Sequence, residues 1–307
     1  MRIVVSGGTG FVGTALVAAL RKRGDDVVVL SRAEGPGTAQ WTPGRSGPWT
    51  AHLRGADAVI NLAGAGLFDE RWTPSRIAIV RESRITVTRV LAEAIVRECP
   101  QASFVSASAV GYYGMRKDDA VVTEDTPPGH DLLSEICVEW EAAAEPARAA
   151  GVRVTHPRIG IVLGRGGGAL EKMLPAFRAF VGGPIGDGRQ WFSFIHLRDV
   201  VSALVFLAEK TDARGPYNLT APTPVTMNDL ARGIARALGR PSLFRVPPFA
   251  LKLAMGEGAP RRCSPDRASC RSASSPTVSR SPSPRSSPRS TTSCAEGVSM
   301  NTVSVLR

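Results

Sequence analysis

The chain has 307 residues, enough for one large hydrophobic core or two smaller ones. Its hydrophobic content of 43% predicts a globular protein, and no apolar run approaches the roughly 18 residues that a membrane span needs. The net charge is +11, but residues 259–307 hold eight Arg, one Asp and one Glu, so +6 belongs to this tail and +5 to the rest. The net charge of residues 1–258 therefore does not exclude any class of binding partner.

Cysteine and histidine usage argues against a disulfide framework and a metal site. Three of the five Cys lie in the tail, which leaves Cys99 and Cys137 without metal-ligand spacing, and the four His are scattered. The N-terminus leads straight into an apolar strand pattern, so no secretory signal is expected and a cytoplasmic location is predicted.

The first turn carries the strongest signal in the chain. The apolar run Ile3-Val4-Val5 enters the sequence SGGTGFVG at 6–13, and an amphipathic stretch follows to residue 23. This order predicts a strand, a glycine turn and a helix, in which Gly7 permits the turn and Gly10 admits a pyrophosphate. Gly13 is expected to let the helix pack close to the sheet. The helix N-terminus then offers free N–H groups to phosphates, which predicts a dinucleotide site.

The second strand, at 27–30, ends in Ser31-Arg32. An NAD site places an acidic residue at this strand end for the ribose hydroxyls, whereas the planar guanidinium of Arg32 can bind a 2′-phosphate. NADP is therefore favoured over NAD, with a solvated surface charge as the alternative for Arg32. A third strand, at 57–64, runs into a small-residue turn, and the expected cofactor contacts are Gly7, Gly10, Phe11, Val12, Gly13, Ser31, Arg32, Leu62, Ala63 and Gly64.

The remaining pattern alternates strands with helices, which predicts parallel βαβ units. Further strands are predicted at 103–108, 152–155 and 192–195, and helices at 84–99, 132–150, 196–210 and 226–239, the last capped by Thr226 with Asp229. Two segments, 34–52 and 67–72, are predicted as loops, the second as a surface loop, and another glycine-opened helix contains Pro175.

The predicted fold is an α/β, Rossmann-type doubly wound parallel sheet with a smaller C-terminal substrate-side domain. The nucleotide domain is assigned to 1–165, with 190–220 returning to it, and the smaller domain to 166–189 and 221–258. Residues 259–307 lack an apolar pattern, and fourteen of these 49 residues are Ser, which predicts disorder. A nucleic-acid-binding tail, a phosphorylated Arg-Ser linker and a reading-frame shift all remain open. The absence of Lys and of aromatic residues for stacking counts against nucleic-acid binding. We favour the frame shift, because the composition switches abruptly after Met255-Gly256-Glu257 and out-of-frame codons of a GC-rich gene encode Arg, Ser, Pro and Ala.

The body resembles the extended short-chain dehydrogenases/reductases, and more closely their atypical "epimerase family" branch. The motifs that carry the resemblance over residues 1–258 are SGGTGFVG at 6–13, NLAG at 61–64, SAVGYYG at 108–114, CVEWE at 137–141, RIGIVLG at 158–164, GDGRQWFSFIHLRD at 186–199 and YNLTAP at 217–222. The tail does not resemble the family's C-terminal segment. The resemblance implies a small or nucleotide-linked substrate, and a homodimer remains open.

The resemblance also implies a catalytic Ser at a strand end and a Tyr-x-x-x-Lys pair on the next helix. Ser108 matches the Ser, but alignment on Glu141 places Leu133 and Cys137 where the Tyr and the Lys belong. The substitute proton donors are Tyr113 and Tyr112, with Tyr113 ranked first because Gly114 follows it in the family's strand-end pattern.

Other side chains have weaker claims, each with a structural alternative. Cys137 could act as a thiol acid, base or nucleophile but is expected in the core. His196 with Asp199 could form a proton relay but is expected to orient the strand-to-helix turn and the cap domain. Arg158 and Arg189 could bind an anionic substrate or be solvated. Two functions stay open: an NADP-dependent oxidoreductase or epimerase, and a non-catalytic NADP-binding sensor or scaffold.

Overall fold

The computed structural model describes residues 1–67, 69–115 and 119–242, together with the backbone of 271–272. Except for that two-residue strand, the predicted tail at 259–307 lies outside the described residues. The same holds for the smaller domain's predicted segment beyond residue 242.

The secondary structure alternates strands and helices over most of the described chain. The strands are β1 (Arg2–Ser6), β2 (Asp26–Ser31), β3 (Thr38–Gln40), β4 (Ala58–Asn61), β5 (Ser103–Ser106), β6 (Ser108–Ala109), β7 (Val121–Val122), β8 (Arg153–Ile159), β9 (Ile161–Leu163), β10 (Trp191–Phe192), β11 (Phe194–His196), β12 (Gly215–Leu219), β13 (Val225–Thr226) and β14 (Arg271–Ser272). The helices are α1 (Phe11–Lys22), α2 (Pro74–Glu98), α3 (Leu132–Ala142), α4 (Glu145–Ala149), α5 (Gly168–Arg178), α6 (Leu197–Glu209) and α7 (Met227–Leu238). Short 3-10 turns cover Pro48–Leu53 and Val110–Tyr113.

The main sheet is parallel and covered on both faces. Its order is β12-β8-β5-β4-β1-β2-β3, and β6 extends it beside β8. One buried cluster joins the sheet to α2 and α4, and a second joins the opposite face to α1 and α6. Strands buried on both faces explain the nearly continuous apolar runs of the sequence. The predicted Rossmann-type, doubly wound sheet is thereby confirmed.

A third buried cluster lies apart from these two. It combines side chains of α5 and α7 with β9, among them Leu163, Leu174, Phe177, Met227 and Ile234. At the start of α7, Thr226 Oγ1 accepts from Asp229 N, while the Asp229 carboxylate accepts from Thr226 N, so the cap has the predicted form. This cluster involves both segments that the sequence assigned to a smaller domain.

The two predicted loops have different outcomes. Residues 34–52 include β3 and part of the 3-10 turn, and Trp41 and Trp49 pack edge to face at 5.3 Å within the core. In the predicted surface loop at 67–72, Trp72 is buried. The prediction of a loop at 34–52 was therefore wrong in part, because its tryptophans bury enough apolar surface to order the segment. The described residues of 67–72 form no helix or strand, and Asp69, Glu70 and Arg71 are exposed, as predicted.

Two predicted helices have different bounds. Helix α2 begins ten residues before Arg84, at Pro74, because Thr73 accepts from Arg76 N and Pro74 occupies a first-turn position that needs no donor. The single helix predicted at 132–150 is divided into α3 and α4. Pro146 near the start of α4 has no N–H to continue the hydrogen-bond ladder to Ala142.

Candidate functional site

The glycine turn after β1 leaves no room for side chains. Gly7 has φ +71°, and a Cβ on it would lie 2.6 Å from the backbone of Leu62. A Cβ on Gly13 would lie 2.1 Å from Gly7 O, so Gly13 packs first against the turn itself. The glycine that packs against the sheet is Gly8, because a Cβ there would lie 2.7 Å from the Val29 side chain on β2. Gly8 was not among the predicted site residues, although its place within the glycine run could have identified it.

The N-terminus of α1 is open to an anion. Gly10 is its N-cap and makes no side-chain cap, and the first turn contains no acidic residue. The partial positive charge of the helix is therefore not neutralised by the helix's own side chains. With the glycine cradle beside it, this N-terminus fits a dinucleotide pyrophosphate.

The turn after β4 is held against the glycine turn by buried polar side chains. Ser6 Oγ donates to Asn61 Oδ1 at 2.6 Å, and the same oxygen accepts from Ala63 N at 3.2 Å. Asn61 Nδ2 donates to Thr88 Oγ1 on α2, which also accepts from Trp140 Nε1 on α3. Asn61 thus fixes the turn Leu62-Ala63-Gly64 beside the predicted cofactor, a role that the sequence analysis missed.

The ends of β2 and α1 carry the remaining predicted cofactor contacts. Arg32 is exposed just beyond β2, where Ser31 Oγ accepts from Ala33 N at 3.2 Å. Phe11 and Val12 form the first residues of α1. Cβ atoms on Gly164, Gly167 and Gly168 would lie within about 3 Å of the Phe11 ring, so a distant glycine segment packs directly on the nucleotide turn.

Ser108 belongs to a buried ion-pair network. Arg158, with 3% of its side chain exposed, donates from Nε and Nη2 to the two carboxylate oxygens of Glu141 at 2.8 and 2.9 Å. Ser108 Oγ donates to Glu141 Oε1 at 2.6 Å. Burial lowers the pKa of Arg158, but the hydrogen bonds and charge of Glu141 outweigh it and raise that pKa above its usual value. Arg158 is thus neither solvated nor free to bind a substrate anion.

The two tyrosines occupy different environments. Tyr113 is 2% exposed, and its hydroxyl donates to Asn218 Oδ1 at 2.6 Å while accepting from Arg158 Nη1 at 2.9 Å. Burial raises the pKa of Tyr113, although Arg158 partly opposes this. Tyr112 is only half-buried, with the Arg158 guanidinium 3.5 Å from its ring centroid.

Leu133 and Cys137 face the 3-10 turn after β6 at Gly111. A Cβ on Gly111 would lie 3.7 Å from Leu133 Cβ and 3.6 Å from Cys137 Sγ. Cys137 is 5% exposed, and burial raises the pKa of its thiol to about 12. The thiol is protonated at neutral pH, which agrees with the core position favoured by the sequence and disfavours a nucleophile.

The other candidates have structural partners or lie at the surface. His196 Nδ1 accepts from Arg198 N at 3.3 Å and so caps α6, which contains Asp199 in its first turn. Arg189 is exposed. Across the residues that the structure describes, no set of three or more His, Cys, Asp or Glu side chains is arranged to bind a metal. None of the helices in that same part has the length and hydropathy to span a membrane.

A parallel sheet wound on both faces, with an open helix N-terminus after its first glycine turn, defines a Rossmann-type nucleotide-binding protein. The model for the NAD dependent epimerase/dehydratase family matches residues 3–220, and the chain belongs to this family. The chloroplastic SDR39U1 homologue, an epimerase family protein of Arabidopsis thaliana, is 40% identical over 271 residues, which cover 84% of this chain and 77% of the relative. The resemblance to the "epimerase family" branch is thereby confirmed.

Two solved structures extend the comparison. Human epimerase family protein SDR39U1 (isoform 2), solved with NADPH, superposes with a TM-score of 0.79 at 34% identity, covering 89% of this chain and 91% of that chain. The nucleoside-diphosphate sugar epimerase of Corynebacterium glutamicum gives a TM-score of 0.70 at 34% identity, covering 89% of this chain and 53% of the other.

Proposed function

We propose that this protein binds NADP(H) at the glycine turn and catalyses an epimerase- or oxidoreductase-type reaction on a small or nucleotide-linked substrate. The observation that carries the proposal is the open α1 N-terminus within a cradle that any Cβ at Gly7 or Gly13 would fill. The relative solved with NADPH supports the same cofactor for this chain.

The preference for the phosphorylated cofactor rests on Arg32. Its exposed guanidinium follows β2, the strand beside β1, where the adenosine ribose of a dinucleotide lies in this fold. A guanidinium there can form charge-assisted hydrogen bonds to a 2′-phosphate, which NADH lacks.

Fluorescence titration should show tighter binding of NADPH than of NADH. Replacing Arg32 by Ala removes the phosphate contact, so we expect NADPH affinity to fall about tenfold while NADH affinity stays unchanged. Lys22→Ala, at an exposed position near the C-terminal end of α1, is the matched control for loss of surface charge. Equal affinities for the two cofactors in the parent protein would refute the preference.

The bound cofactor would supply or accept a hydride, and the protein must then move a proton at the substrate oxygen. Ser108 Oγ already donates to Glu141, which leaves its lone pairs as acceptors for a substrate hydroxyl. The Tyr113 hydroxyl is engaged on both sides by Asn218 and Arg158. The half-buried Tyr112 is the freer hydroxyl, so we place it ahead of Tyr113 as proton donor.

Tyrosine-to-phenylalanine variants separate these roles, because they remove a hydroxyl and keep the ring. Turnover on a panel of carbonyl and nucleotide-sugar substrates should fall roughly 10²–10⁴-fold in Tyr112→Phe, with NADPH affinity unchanged. Tyr113→Phe should mainly lower the melting temperature, because it removes the buried hydroxyl that donates to Asn218 Oδ1 and accepts from Arg158 Nη1.

Unchanged turnover in Tyr112→Phe, together with a large loss in Tyr113→Phe, would restore the ranking drawn from the sequence. A parent protein that binds NADPH but turns over no substrate would support the sensor or scaffold alternative.

A further inference from the structure

The guanidinium of Arg158 lies flat against the ring of Tyr112. Its Cζ is 3.5 Å from the centroid of that ring, and at this distance only two parallel planes avoid overlapping atoms. The Tyr113 ring packs nearly perpendicular to the Tyr112 ring, with the two centroids 5.3 Å apart. Two neighbours therefore restrict the half-buried ring of Tyr112.

Arg158 is itself fixed, because its N–H groups are used in its own plane. Nε and Nη2 donate to the Glu141 carboxylate, and Nη1 donates to Tyr113 Oη at 2.9 Å and to Glu124 O at 3.1 Å. A planar guanidinium with its edge occupied leaves its face for a further contact. Arg158 thus holds the ring of Tyr112 without competing for the Tyr112 hydroxyl.

The backbone of Tyr112 is held as well. Its carbonyl oxygen accepts from Ser134 Oγ at 2.8 Å and from Gly129 N at 3.0 Å. A Cβ on Gly129 would lie 2.7 Å from Tyr113 O, so the chain at this contact leaves no space for a side chain. With backbone and ring both held, the Tyr112 hydroxyl is carried on a rigid support, which is what efficient proton donation requires.

Arg158 also supplies a positive charge where the family places a Lys. Cys137 occupies the position of that Lys, and its thiol is uncharged at neutral pH because burial raises its pKa to about 12. A tyrosine that gives its proton to a substrate oxygen is left with negative charge, which a cation stacked on the ring stabilises. Glu141 contacts the edge of the guanidinium, so it does not separate Arg158 from the ring.

We propose that Arg158 is a positioning residue for proton donation by Tyr112, holding the phenol ring through its face and balancing the charge that forms on it. This role rests on the proposed function and deepens it. As the carbonyl carbon of a substrate takes hydride from NADPH, the Tyr112 proton moves to the carbonyl oxygen and completes a hydroxyl. Water then returns a proton to the phenolate.

A double-mutant cycle tests this role. Arg158→Lys keeps the charge but loses the planar face, so we expect kcat to fall about 10- to 100-fold with NADPH affinity unchanged. The solvent deuterium isotope effect on kcat should rise, because proton donation becomes slower. In a Tyr112→Phe background the same substitution should cause no further loss of kcat, because no hydroxyl is left to position.

Fluorine NMR follows the ring without substrate or cofactor. The chain has three Tyr, so labelling with 3-fluorotyrosine gives three resonances, and Tyr112→Phe identifies the one that belongs to residue 112. In Arg158→Lys this resonance should shift toward that of the free amino acid, because the stacked cation is gone. The resonance of Tyr217 should stay in place.

Arg153→Lys, on the same strand, is the matched control. Arg153 donates to the carbonyl oxygens of Leu207 and Ala208 at 2.9 and 3.0 Å, at the opposite end of β8 from Arg158. Its replacement should lower the melting temperature without changing kcat.

Glu141→Gln takes the place of Arg158→Lys if that protein fails to fold, because it weakens the ion pair that fixes the guanidinium. It should then lower kcat in the parent background and not in Tyr112→Phe. An equal loss of kcat in both backgrounds would overturn the inference, and so would an unchanged Tyr112 resonance. A parent protein without turnover would instead refute the proposed function, and with it this role.

Discussion

At the scale of single residues, the candidate site contains a buried ion pair between Glu141 and Arg158. Glu141 holds Arg158 with both oxygens and also accepts from Ser108, which ties α3 to β6 and β8. An Arg of this kind cannot be identified from sequence, because an ion-paired and a solvated guanidinium have the same sequence signature. Cys137 lies on the same helix as Glu141, and burial of its thiol should make the free energy of unfolding depend on pH.

The free energy of unfolding should fall with rising pH because of Cys137. Its pKa is about 12 in the folded protein, raised by burial from about 9 when unfolded, so its stabilising contribution is complete below pH 9 and is lost as the pH rises toward 12. Urea unfolding at pH 8 and pH 10 should show a loss of about 1.4 kcal/mol in the parent that Cys137→Ala lacks. Cys99, whose pKa burial raises to about 11, titrates in both proteins. An identical pH dependence in the two proteins would contradict the burial of this thiol.

At the scale of elements, the sequence predicted whatever depends on local periodicity and glycine punctuation. The strand, glycine turn and helix at 1–23 were predictable because three signals agree there: an apolar strand run, spaced glycines and an amphipathic helix. The β3 strand and the 3-10 turn near Trp49 were not, because Gly- and Pro-rich composition conceals contacts that only the folded core supplies. Asn61 was missed for a similar reason, since its partners Ser6 and Thr88 lie 55 and 27 residues away.

At the scale of the whole molecule, the buried clusters draw on residues up to Ala235 in α7. The family match ends at residue 220, and the alignment with the Arabidopsis relative covers 84% of the chain. The described structure thus assigns a packing role to α7 beyond the family match.

A chain truncated after residue 258 should bind NADPH with the affinity of the full chain, because every predicted cofactor contact lies between Gly7 and Gly64. A second truncation, after residue 220, removes α7 and should lower the melting temperature, because the third cluster loses Met227, Leu230 and Ile234. Fluorescence titration and thermal unfolding of the two truncated proteins test this. Loss of NADPH binding in the longer one would assign a role to the tail.

The contact between Phe11 and the segment Gly164 to Gly168 has a consequence for protein engineering. A Cβ on Gly167 would lie 2.6 Å from the Phe11 ring, so the two segments constrain each other across about 150 positions of the chain. Grafting a substrate-side segment from a relative that lacks these glycines would push Phe11, and with it the start of α1. Chimaeras designed to change specificity should therefore transfer residue 11 together with 164–168 as one inherited unit.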